Sequence, residues 1–201
     1  MTPFADLVID TPRLVLRPLT DADADDLFAI FGDPAVMRYW SSPAWTHRDE
    51  ALRMVGGDRV AHAGRRDLRL GLALRDSGHV IGTASLFKLD ANNHRGEIGY
   101  ALAAGHQGGG LMHEALSALV GLAFDHAPGA PLDDLRLHRL EADIDPRNTA
   151  SARSLERLGF LLEGVLRQRW QVAGEVSDSG IYGLLRPDWL ARGPGRVSQP
   201  A

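Results

Sequence analysis

The sequence predicts a mixed α/β fold, with helices packed on one sheet. Short runs alternate apolar and polar residues, and between them lie stretches with apolar residues at helical spacing. A cluster of glycines joins one such strand to a long apolar helix.

Taken in order, residues 9–19 read as a strand, with Leu14 and Leu16 alternating against Arg13, Val15 and Arg17 until Pro18 ends it. Thr20 caps a helix whose first turn holds Asp21 and Asp23, where acidic side chains suit the positive end of the dipole. Leu27, Phe28, Ile30 and Phe31 are its apolar side, and Gly32-Asp33-Pro34 stops it. Residues 37–45 form a loop carrying Tyr39, Trp40 and Trp45; Thr46 then caps a second helix to about Ala63. Strands over 68–74 and 80–86 flank the turn Asp76-Ser77-Gly78, and a third strand covers 97–102. Gly108-Gly109-Gly110 opens a helix over 111–126, with Met112, Ala115, Leu116, Leu119, Leu122 and Ala123 on its buried face. A strand at 137–144, a helix at 148–158 closed by Gly159, and a hairpin from Phe160 to Leu185 turning at Ala173-Gly174 complete the order. No repeat or linker divides the chain. The expectation is one domain over 9–190, with loose termini at 1–8 and 193–201.

Composition narrows the class. The 201 residues are 44% hydrophobic and 24% charged, enough for a sizeable core in an ordinary soluble domain. A formal net charge of -4 without a basic run argues against a nucleic-acid partner. The absence of cysteine excludes disulfides, thiolate metal sites and a cysteine nucleophile. Eight histidines are dispersed, with His106 and His113 flanking the glycines, and no metal-ligand pattern emerges from them. No apolar stretch reaches membrane-spanning length and residues 1–10 lack signal-peptide character, so a cytoplasmic protein without a membrane partner is expected.

The glycines carry the functional signal. Gly105-His106-Gln107-Gly108-Gly109-Gly110 turns the chain between a strand and a helix, where bare backbone N–H groups and the helix start can cradle a phosphate or pyrophosphate. A flexible connection is the plainer alternative. Leu111-Met112 replace the lysine and hydroxyl residue of a P-loop, and the glycine spacing is not that of a dinucleotide fingerprint. Neither ATP nor NAD is supported.

The run Gln107-Gly108-Gly109-Gly110-Leu111-Met112 resembles the Gln/Arg-x-x-Gly-x-Gly/Ala loop of the GNAT acetyltransferases, which binds the pyrophosphate of acetyl-CoA. Met112 departs from the small residue of the general pattern, as in the Rim-type subgroup that acetylates N-termini of ribosomal proteins. Thr11-Pro12-Arg13-Leu14-Val15-Leu16-Arg17-Pro18, Glu97-Ile98-Gly99-Tyr100-Ala101-Leu102, and Asn148-x-x-Ser151 with Leu155-x-x-Leu158-Gly159-Phe160 resemble other stretches of that subgroup. The resemblance implies the GNAT acyl-CoA N-acyltransferase fold, a mixed, mostly antiparallel twisted sheet of about seven strands flanked by about four helices.

It also implies roles. Tyr100, Ala101 and Leu102 would hold the pantetheine arm along their strand. Gln107, Gly108, Gly109, Gly110, Leu111 and Met112 would hold the pyrophosphate, and Asn148 would bind pantetheine amides. Glu97 would act as general base, directly or through a water, and Ser151 would bind the departing sulfur or give it a proton. Plainer alternatives stay open: Glu97 as a solvated strand-end carboxylate, and Ser151 as an ordinary first-turn serine beside the cap Asn148. Trp170 stands where some relatives carry a second glutamate, so that base does not transfer. Trp40, Trp45 and Trp170 are candidate acceptor-pocket residues, with core packing or a dimer contact as the alternative for the first two. Arg167 and Arg169 could face an acidic or peptidic acceptor, or be a solvated strand face.

The implied reaction is direct acetyl transfer from acetyl-CoA to an amine, without a metal, in a ternary complex. At pH 7 an α-amine of pKa ~7.8 is roughly one-seventh neutral, and lysine only in about one molecule per 2,500, so an α-amine tolerates a weaker base. That favours a protein N-terminus as acceptor. The alternatives are a small amine such as an antibiotic, polyamine or amino acid, and a CoA-binding sensor without turnover. Relatives often form dimers, so a homodimer is compatible.

Overall fold

The structure is a computed structural model that describes residues 4–192. It forms an eight-stranded sheet in the order β1-β2-β3-β4-β5-β6-β8-β7. The strands are β1 (Ile9–Asp10), β2 (Leu14–Arg17), β3 (Leu68–Leu74), β4 (Val80–Asp90), β5 (Arg95–Leu102), β6 (Arg139–Ile144), β7 (Leu161–Val172) and β8 (Glu175–Leu185). The helices are α1 (Ala24–Phe31), α2 (Pro34–Met37), α3 (Asp49–Ala63), α4 (Leu111–Phe124), α5 (Thr149–Leu158) and α6 (Arg186–Arg192). Neighbouring strands run antiparallel except β5 and β6, which run parallel.

The mixed, mostly antiparallel architecture agrees with the expected fold, with one more strand and two more helices among the described residues. The extra strand arises because 9–19 is broken at Thr11-Pro12-Arg13, where the Thr11 N–H donates to Leu14 O and the Leu14 N–H to the Thr11 hydroxyl oxygen. Asp33-Pro34, read as a stop, is also a start. Asp33 Oδ1 accepts the Ala35 N–H at 2.8 Å and Pro34 sits in the first turn, where its missing N–H costs nothing. α6 falls in a stretch with no assigned element.

Two cores cover the two sheet faces. On one, β-strand residues such as Leu70, Leu86, Ile98 and Leu140 meet Ala115, Leu116, Leu119 and Leu155 of α4 and α5. On the other, Leu27, Ile30 and Phe31 of α1 meet Ala51 and Val55 of α3 over Ala73, Val80 and Ala101. Each fully buried leucine contributes about 1.5–3 kcal/mol. Phe4 is fully buried and Leu7 nearly so, against the expectation of a loose end over 1–8: the 3₁₀ turn Phe4–Asp6 packs against α3, with Phe4 edge-on to His62. The expected loose end at 193–201 lies outside the described residues.

Candidate active site

The sheet opens at its centre. β5 and β6 are joined only at Arg95↔Arg139, Gly96↔Leu140 and Glu97↔Glu141. Past that rung β5 stays with β4 as far as Leu102, and β6 stays with β8 as far as Ile144. Residues 98–102 and 142–144 therefore border a gap that no ladder bond crosses. An extended amide-bearing molecule can pair with such an edge as an added strand does. Tyr100, Ala101 and Leu102 lie on it, the latter two with buried side chains.

β5 leads to the glycine turn. Gly108 and Gly110 have φ of +80° and +77°, the left-handed region that glycine adopts without steric cost. A Cβ on Gly105, Gly108 or Gly109 would meet nothing within 4 Å, so the turn is bare. Gly110 is the N-cap of α4, whose first-turn N–H groups have no intrahelical acceptor. Open glycines at the start of a 14-residue helix fit a diphosphate. Gln107 Nε2 donates to Leu102 O at 3.0 Å, tying the turn to the end of β5. Leu111 and Met112 send their side chains into the core, leaving only their backbone N–H groups for the site. Core packing thus accounts for a methionine where the general pattern has a small residue.

A clamp from the β1–β2 turn steadies the glycines. The Thr11 hydroxyl, Arg13 N–H and Arg13 Nε donate to the Glu114 carboxylate at 2.7, 2.8 and 2.6 Å, and Arg13 Nη1 donates to Gly109 O at 2.8 Å. Burial alone would raise the Glu114 carboxyl, but these donors outweigh it and hold the group below its ordinary value.

α5 supplies the other side of the gap. Asn148 Oδ1 accepts the Ser151 N–H at 3.1 Å as N-cap, so at least half of its amide serves the helix. The Ser151 and Tyr100 hydroxyls lie 2.7 Å apart, a hydrogen bond between α5 and β5. Burial pushes the Tyr100 phenol up to about 12 despite the Ser151 bond, so it keeps its proton at neutral pH.

From the α1–α3 side, a cleft of about 1130 Å³ reaches through to Tyr100, Asn148 and Ser151. Glu97, Trp40, Trp45 and Trp170 also line it, whereas the glycine turn and Arg167 do not. Trp40 stands edge-on to Phe31 at 5.3 Å and Trp45 stacks on it at 4.7 Å, so both tryptophans combine core packing with cleft lining. Lys88 Nζ donates to both Glu97 oxygens at 2.9 Å. Asp143 accepts Trp170 Nε1 at 3.2 Å, Arg169 Nε at 3.1 Å and the buried Ser179 hydroxyl. Arg169 is therefore committed within the chain.

Sequence reasoning missed Lys88, Asp143 and the Arg13–Glu114 clamp. Glu114 could have been noticed as an acid in a helix first turn, and Lys88 as the only lysine in the sequence. Nothing local marks Asp143.

The chain is similar to known proteins over most of its length. The profile described as Acetyltransferase (GNAT) domain matches residues 13–161. The uncharacterized N-acetyltransferase YoaA of Bacillus subtilis is 32% identical over 180 residues, 90% of this chain and 97% of that protein. The [ribosomal protein uS5]-alanine N-acetyltransferase of Escherichia coli is 29% identical over 94% of each chain. Among solved structures, RimL, a ribosomal L7/L12 α-N-protein acetyltransferase in complex with coenzyme A, superposes with a TM-score of 0.75. It has 22% identity, and the match covers 89% of this chain and 98% of that one. The chain belongs to the GNAT acetyltransferase family. It is an acetyl-CoA-dependent N-acetyltransferase, with acetyl-CoA as co-substrate.

Proposed function

We propose that the acceptor is the α-amino group of a protein N-terminus, bound in the tryptophan-lined cleft and acetylated directly in a ternary complex. The observation that carries the reading is a single cleft lined both by a carboxylate, Glu97, and by the hydrogen-bonded Tyr100 and Ser151 hydroxyls. Acetyl-CoA supplies a thioester whose carbonyl is open to attack. Residues 98–102 hold its pantetheine arm by backbone pairing, the turn at 107–112 holds the diphosphate on N–H groups, and Asn148 meets the arm from α5. Glu97, directly or through a water, takes a proton from the incoming ammonium. Ser151, with Tyr100 behind it, gives a proton to the departing sulfur. Preorganised donors and alignment supply the rest of the acceleration.

Two features support an α-amine over other acceptors. Both Glu97 oxygens are engaged by Lys88, which suits an amine already partly neutral at pH 7. The Escherichia coli relative, whose name specifies an alanine of a ribosomal protein, spans nearly the whole chain. A cytoplasmic location and the homodimer that the family allows belong to the same reading, as does a single catalytic domain over 9–190. Purified protein mixed with acetyl-CoA and a panel of peptides, polyamines, amino acids and aminoglycosides tests it by thiol release. Peptides with free N-termini should turn over fastest, and blocking the α-amine should abolish release. Faster turnover of any small amine than of every peptide would overturn the acceptor assignment.

A further inference from the structure

Lys88 is the only lysine among 201 residues; the other 21 of the 22 Lys and Arg are arginine. It stands in the acceptor cleft, bound to the carboxylate proposed as the base. Its placement depends on an irregularity. In a regular strand Lys88 would point away from its neighbour Phe87, whose partner across the ladder is Glu97. The β4–β5 register shifts between Phe87 and Asp90, and Lys88 has φ +49°, a left-handed conformation uncommon for a side chain of this size. Asp67 Oδ1 accepts the Lys88 N–H at 3.2 Å within this bulge. The side chain turns back over the Phe87 ring, with Nζ 5.7 Å from its centroid, and reaches both Glu97 oxygens at 2.9 Å. Its side chain is 58% exposed, so Nζ is accessible from the cleft.

An acceptor amine must arrive as an ammonium, contact Glu97 and lose a proton there. Lys88 already satisfies the first two requirements. We infer that Lys88 is a self-acetylation site: when acetyl-CoA is bound and no acceptor fills the cleft, the enzyme transfers the acetyl group to its own Lys88 Nζ. This rests on the reading of Glu97 as base. Glu97 takes one proton from the ammonium and passes it to solvent. The neutral amine attacks the thioester carbonyl carbon, the C–N bond forms and the C–S bond breaks. The second amine proton leaves as the amide forms, and the thiolate departs as the thiol of coenzyme A. The products are Nε-acetyl-lysine, coenzyme A and one proton. The reaction is slow beside acceptor turnover, because a lysine amine is a far stronger base than an α-amine and gives up its proton less readily. The modification ends the ion pair with Glu97 and leaves an uncharged amide in the cleft.

The test is incubation of the full chain with acetyl-CoA alone, followed by intact-mass analysis and peptide mapping, beside a thiol-release assay with acceptor peptides on the same preparation. One acetyl group should accumulate at residue 88, with a per-molecule rate that is independent of protein concentration and saturates with acetyl-CoA. An acceptor peptide or free coenzyme A should slow it, Glu97→Gln should slow it at least tenfold, and the heat-unfolded chain should not show it. Acceptor turnover with an unmodified Lys88 overturns the inference and leaves the enzyme reading intact. Modification that proceeds equally in the unfolded chain or in Glu97→Gln also overturns it. Absence of both turnover and modification in the wild-type chain overturns the inference together with the acceptor reading on which it rests.

Discussion

Removing the Glu114 carboxylate separates the role of the clamp in folding from its role in holding acetyl-CoA. In Glu114→Ala, the Thr11 hydroxyl and the Arg13 N–H each lose an acceptor, and the Arg13 guanidinium loses its ion-pair partner. A net hydrogen bond to a part-buried group contributes roughly 1 kcal/mol. The Arg13 side chain is 49% exposed, so solvent reduces the ion pair to about 0–1 kcal/mol. The loss is then about 2–3 kcal/mol, or a Tm lower by about 4–12 °C for a chain of this size. Arg13 also holds Gly109 O, so loosening it frees the turn and should weaken coenzyme A binding about tenfold, equivalent to ~1.4 kcal/mol. Calorimetric melting and titration of coenzyme A measure the two effects. A lower Tm with unchanged Kd would refute the link between clamp and turn, and unchanged values of both would refute the clamp itself. Acid should mimic the substitution. A carboxyl held below its unfolded value of 4.5 stabilises the protein fully above that pH, and the contribution fades as pH falls toward its lower folded value.

Glu97→Gln should lower kcat about 10²–10⁴-fold with coenzyme A affinity intact, the range for loss of a general base; a rate within threefold of wild type would remove Glu97 from the chemistry. Tyr100→Phe and Ser151→Ala should each slow turnover, and the double variant should be little slower than the worse single one, because the two hydroxyls act as a unit. Independent, multiplying losses would argue against a relay. Asp143→Ala strands the buried Ser179 hydroxyl and frees Trp170 and Arg169, so it should cost about 1–3 kcal/mol of stability and raise the acceptor KM more than that of acetyl-CoA. Equal KM changes for both substrates would contradict a place on the acceptor side.

Much of this molecule is legible in its sequence because local rules agree with the fold. Leu14 and Leu16 are buried and Val15 and Arg17 only partly so, as the alternation predicts. α4 buries Met112, Ala115, Leu116, Leu119 and Ala123 of the expected apolar face, with Leu122 only partly buried, and Gly159 ends α5 in the left-handed conformation at φ +101°. Thr20 and Asn148 stand at the predicted caps. What could not be read depends on distance along the chain. Glu114 meets residues a hundred positions away, and Asp143 gathers donors from two later strands. Lys88 was hidden for another reason: period two sends it to the wrong face, and only the bulge in β4 brings it to Glu97. Short elements such as α2 hold too few residues to show a period.

The three rungs between β5 and β6 have a mechanical consequence. Within the sheet they are the whole weld between a five-stranded plate and a three-stranded one. The amide hydrogens among 95–97 and 139–141 that bond across this seam should therefore exchange sooner than those inside either plate. A ligand lodged along the open seam, touching β5 on one flank and α5 on the other, would act as a rivet. At a hundredfold excess over its Kd it would add about 2.7 kcal/mol to stability, with the slowing of exchange concentrated at that weld.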